Sequence, residues 1–150
     1  MNRITLAVIS LLLLSACGRE PEPTVPAPDL AAGQAIAQDE CSGCHAVDGS
    51  GLTGEIPNLA GQRADYLVDA MQAYADGRRH HAALQDLISG LSQAEVRNIA
   101  AWYSSLPPAP PATVADGGDQ SYTEGMKVAA LCTECHGEQG FSATSGVPSL

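Results

Sequence analysis

The chain has 150 residues, 17 of them acidic and seven basic, for a formal net charge of −10. That length holds one ordinary domain or two very small ones. So negative a field disfavours nucleic acid and anionic surfaces, and it reads either as favouring docking to a basic patch on a protein partner or as serving solubility alone.

At the N-terminus, Asn2 and Arg3 precede an apolar run from Ile4 to Leu14. These 11 residues are too few to cross a bilayer as a helix, and the pattern reads as an export leader. The run ends in Leu14-Ser15-Ala16-Cys17, which resembles the lipobox of bacterial lipoproteins. That resemblance implies a signal peptide over residues 1–16, cleavage before Cys17 and a lipid on its sulfur. Such a lipid holds a chain at a membrane surface without spanning it. An ordinary export signal with a chance cysteine is the alternative, and under either reading the chain leaves the cytoplasm. Residues 17–28, rich in proline, predict a semi-extended tether.

The next unit, 29–106, reads as helices joined by loops. Asp29 is placed to cap a helix from Leu30 to about Glu40. Tyr66, Leu67, Ala70, Met71 and Tyr74 form a second helical stripe, stopped by Gly77. Ser92 and Glu95 form a capping box that opens a third helix with Val96, Ile99, Ala100 and Tyr103 on one face. Pro107 and Pro108 end it. No stretch alternates at period two, so the expected class is all-α with long loops. A Pro/Gly-rich linker follows over 107–121, and a short last unit over 122–150.

A shift of 91 positions superimposes Cys41, Cys44 and His45 on Cys132, Cys135 and His136, Gly49 on Gly140, Pro57 on Pro148 and Leu59 on Leu150. This is a tandem duplication, and both copies carry the frame C-x-x-C-H. That frame is the attachment signature of haem c: two thiols add to two vinyl groups of one porphyrin, and the adjacent histidine is directed under the iron. The reading is two covalent haems, with His45 and His136 as proximal iron ligands. A structural zinc site wants its cysteine pairs much closer in sequence, and thioredoxin-like chemistry wants a βαβ setting. Two local disulfides would leave the repeated histidine without a role.

The stretches "GQAIAQDECSGCHAVDGSG", "IPNLAGQRADYL", "YADGRR" and "LSQAEVRNIAAWYSSL", then "CTECHGEQG" and "GVPSL", resemble class I cytochrome c, specifically its tandem di-haem, c-four type. The likeness covers nearly all of 29–106 and the opening half of a second copy. It implies a class I cytochrome c fold with one complete domain plus the N-terminal half of another. It further implies that Gly33 packs against an aromatic of the last helix, Trp102 or Tyr103. The carbonyls of Pro57 and Pro148 would accept the Nδ1–H of His45 and His136, and Arg78 or Arg79 would pair with a haem propionate.

Two departures from that family stand out. Its sixth iron ligand is normally a methionine seven residues before the Leu-Ser that opens the last helix, and that position is Leu84. His81 and His80 lie close by as substitutes, and an open position is the third possibility; Met71 has the place of a core residue. The second copy also stops at Leu150, where the first still has most of its distal wall to come, so the chain reads as a fragment, the alternative being that another subunit completes the site. The expected function is electron transfer by a lipid-anchored cytochrome on the periplasmic side of a bacterial membrane. Its partners would be redox proteins, with no nucleic acid and no small-molecule substrate, and it would not be an enzyme. A haem enzyme or gas sensor using an open position at the first haem is the alternative, motivated by Leu84.

Overall fold

The computed structural model describes residues 24–108 and 120–150. The leader over 1–16, Cys17, most of the tether and most of the linker lie outside the described residues. Among those described there are helices and turns and no strand. The order is α1 (Leu30–Ile36), a π-turn (Ala37–Cys41), α2 (Ser42–His45), α3 (Ala64–Ala75), α4 (Ala82–Ser89), α5 (Gln93–Ser105), α6 (Gln120–Ala129) and α7 (Thr133–His136).

The caps form as the sequence predicts. The Asp29 carboxylate accepts from the N–H groups of Ala31 and Ala32, satisfying two donors that the first turn leaves orphaned. Ser92 and Glu95 make the reciprocal capping box of α5 at 3.3 and 2.7 Å. The anticipated stripe of α5 is the core: Val96, Ile99, Ala100 and Tyr103 are all buried, with Ala37 and Leu67 packed against them.

Two elements differ from expectation. The first helix does not run smoothly to Glu40; it widens into a π-turn at Ala37. The extra residue re-phases the helix, so that Gly33 and Ala37 face α5 while Cys41 faces the interior cavity described below. The segment after Arg79 is not a free loop but leads into α4, whose cap is His81.

Gly33 sits where α1 crosses α5. A Cβ at this position would run into the Asn98 carbonyl, so the glycine lets α1 pack directly on the backbone of α5. The same Asn98 holds the start of α1, its Oδ1 accepting from the Asp29 N–H at 2.9 Å. Tyr103 packs against Gly49 in the loop after α2. Gly33→Ala therefore forces α1 off α5, and overpacking of this kind costs about 1–3 kcal/mol. Thermal unfolding followed by circular dichroism should show a clear fall in Tm for Gly33→Ala and a much smaller one for Gly43→Ala, where a Cβ meets nothing.

Candidate haem site

In a helical turn, residues three and four apart share a face. Cys41, Cys44 and His45 stand in that relation, and all three line one cavity of about 1070 Å³. Its walls are largely apolar: Leu67, Ala70 and Met71 from α3, Leu84, Leu87 and Ile88 from α4, and Ile99 and Tyr103 from α5. Burial pushes both the Cys41 thiol and the Tyr103 phenol up from their ordinary values. All four cysteines of the two frames are free, so neither pair is spent on a local disulfide.

The decisive geometry is at the histidines. His45 Nδ1 lies 2.9 Å from the Pro57 carbonyl oxygen, and His136 Nδ1 lies 2.8 Å from that of Pro148. A carbonyl oxygen has no proton to give, so each Nδ1 must be the donor. Each Nε2 is thereby left with its lone pair, the state an imidazole needs to bind a metal. Paired thiols, a ring held in the metal-binding tautomer and an apolar cavity fit haem c.

The two copies share finer detail. Leu59 N–H donates to the Gly49 carbonyl at 2.7 Å, and Leu150 N–H to the Gly140 carbonyl at 2.8 Å. The residue after the first histidine, Ala46, adopts φ 59°, and its counterpart Gly137 adopts 82°. The alanine holds, at some strain, a backbone conformation that glycine adopts freely.

Chain similarity agrees with the geometry. The family described as cytochrome c matches residues 30–107. The chain belongs to the cytochrome c family. All of this cytochrome aligns, at 34% identity, with 74% of cytochrome c4 of Pseudomonas aeruginosa. About half of it, 49%, aligns at 42% identity with 98% of cytochrome c-554(548) of Halomonas halodenitrificans. The crystal structure of reduced recombinant cytochrome c4 from Pseudomonas stutzeri superimposes with a TM-score of 0.70 at 28% identity, over 83% of this chain and 73% of that one. The fold is that of class I cytochrome c, the cofactor is covalent haem c, and the protein is an electron carrier.

Of the two candidate arginines, Arg79 lines the cavity and Arg78 does not. Arg78 is exposed and paired to Asp76 at 3.3 Å. Arg79 donates to the Tyr66 hydroxyl at 3.1 Å and lies over the rings of Tyr66 and Tyr74 at 5.6 and 5.7 Å. These π contacts hold a guanidinium in place without neutralising it. His80 is exposed and does not line the cavity; His81 and Leu84 do. His81 is committed elsewhere: its Nδ1 accepts the Leu84 N–H at 3.3 Å. The neutral ring then carries its proton on Nε2, the reverse of His45 and His136. Capping α4 and binding iron are mutually exclusive for this side chain.

One group of residues has a role that the sequence did not reveal. Gln62, Arg63 and Asp65 of the first copy hold the 142–149 segment of the second. Arg63 Nη1 donates to the Ser142 carbonyl at 3.2 Å. Asp65 accepts from Arg63 at 2.8 Å, from the Ser145 hydroxyl at 2.7 Å and from the Gly146 N–H at 3.3 Å. They lie within the stretch "IPNLAGQRADYL", but its pattern does not announce this role, because each partner is some 80 positions away. The Arg63 guanidinium, then the Ser145 hydroxyl, hold the Asp65 carboxyl well below its ordinary 3.8. A carboxyl depressed in the native state contributes stability above its unfolded value, and that contribution is lost as pH falls through the native value. Hydrogen exchange at the Gly146 amide should therefore stay protected at about pH 5 and open only in strong acid. Asp65→Asn should remove the protection across the whole range.

Proposed function

We propose that this cytochrome carries one haem c on each frame and relays electrons between redox proteins at a membrane surface. Cys41 and Cys44 would hold the first ring and Cys132 and Cys135 the second, with His45 and His136 as proximal iron ligands. The observation that carries this reading is the duplicated Nδ1–H to carbonyl bond, which leaves the same ring nitrogen available in both copies. When bound, haem c supplies a one-electron iron couple. The chain's part is to fix the axial nitrogen through Pro57 and Pro148, exclude water with the apolar walls and keep reorganisation small. Arg79, which lines the cavity and makes no ion pair among the described residues, is the residue to meet a propionate.

For the sixth position of the first haem we favour His81, which lines the cavity, over His80, which does not. Binding through His81 requires the ring to give up the α4 cap, at a cost of about 1 kcal/mol. A second imidazole in place of a thioether lowers the reduction potential. The acidic chain would dock on a basic patch of its partners. A lipid on Cys17 would hold it on the periplasmic side of a bacterial membrane, raising its effective concentration near membrane-bound donors and acceptors. Among the described residues no helix is long and apolar enough to cross a membrane.

The purified, mature protein should weigh two haems more than its polypeptide and lipid, and cycle reversibly by one electron per iron. Rapid carbon monoxide binding at the first haem with peroxide turnover would overturn the carrier reading. His81→Ala should turn the first haem from low-spin to high-spin; an unchanged low-spin spectrum shows that His81 remains the cap of α4 and is not the ligand. Cys17→Ser should move the cytochrome from the membrane to the soluble fraction on cell fractionation, with its visible spectrum unchanged.

A further inference from the structure

The carbonyl that holds His136 belongs to a peptide unit whose other end is also engaged. The Pro148 oxygen accepts from His136 Nδ1 at 2.8 Å. The N–H of the same unit, on Ser149, donates to Gln62 Oε1 at 2.8 Å. Gln62 Nε2 returns a bond to the Ser149 carbonyl at 2.9 Å. This two-way pairing fixes which end of the side-chain amide is oxygen, because a flip would set donor against donor and acceptor against acceptor. Oε1 also accepts the Arg63 N–H at 3.0 Å, so the amide is held at its base.

We infer that Gln62, on the first copy, is a positioning residue for the proximal ligand of the second haem, acting through the Pro148–Ser149 peptide. The inference rests on His136 being the iron ligand. A peptide whose N–H is drawn into a hydrogen bond carries more negative charge on its oxygen, strengthening the next bond in the chain by about 10–30%. The Pro148 oxygen thus pulls harder on the His136 Nδ1–H, making the imidazole a stronger electron donor through Nε2. A stronger donor stabilises ferric over ferrous iron. The first copy in this way lowers the potential of the second centre.

The test compares the haem-loaded protein with its Gln62→Leu and Gln62→Glu variants. Leucine removes both acceptor and donor, whereas glutamate keeps an acceptor and removes the donor. In ferrous protein with labelled histidine, Gln62→Leu should move the His136 Nδ1–H resonance upfield and leave that of His45 in place. In spectroelectrochemical titration, Gln62→Leu should shift the redox equilibrium of the second haem two- to fivefold toward the reduced state, about 18–41 mV at 59 mV per tenfold. Gln62→Glu should keep the His136 resonance at or downfield of wild type. A shift below about 1.5-fold (roughly 10 mV) in Gln62→Leu, or a His136 resonance in Gln62→Glu that matches Gln62→Leu, overturns the inference. If leucine prevents folding, Gln62→Ala removes the same groups without adding bulk and carries the same expectations. Haem found on the first frame alone would instead overturn the di-haem reading on which the inference stands.

Discussion

A backbone carbonyl that accepts a proton from an imidazole decides what that imidazole can do next. At Pro57 and Pro148 the oxygen takes the Nδ1–H and leaves Nε2 ready for iron. Much of the surrounding structure serves to put those two oxygens in place. The π-turn aims the first frame inward, Gly49 and Gly140 gather the loop that follows, and the Leu59 and Leu150 amides tie its far end. His81 shows the opposite arrangement under the same rule. There a backbone N–H, not a carbonyl, meets Nδ1, and the ring becomes a helix cap. Three histidines of one chain are sorted by the sign of the group facing one nitrogen.

The parts of the fold that could be read from the sequence are those with local causes. Asp29, Ser92 and Glu95 cap helices through bonds to neighbours two or three residues away, and the α5 stripe obeys a period any core-facing helix must obey. The C-x-x-C-H frames are equally local, since five consecutive residues contain the chemistry. What escaped is either atypical or distant. α4 went unseen because it is eight residues long and opens on a histidine, a residue outside the usual capping set. Arg78 and Arg79 could not be told apart by spacing, since only packing decides which one turns toward Tyr66 and Tyr74. The close approach at Gly33 was expected, and the Asn98 carbonyl is what a side chain there would strike.

The contact between the copies has the character of a polar clamp more than of a hydrophobic seam. Gln62, Arg63 and Asp65 reach backbone groups and hydroxyls of the 142–149 segment, and Asp65 alone gathers five donors from four residues. Bonds of this sort fix orientation closely while adding modest net stability. That suits a relay, in which distance and angle between two centres matter more than the tightness of their packing. The strain at Ala46 fits the same picture, because a rigid turn after the first frame keeps its ring from wandering.

Phe141, Pro148 and Leu150 of the second copy also form part of the wall around the first cavity. The first centre therefore takes part of its dielectric surroundings from the second copy. A charge placed on that wall would be felt at the first centre. A potential measured on the first half in isolation would describe a solvent environment that the joined protein does not have.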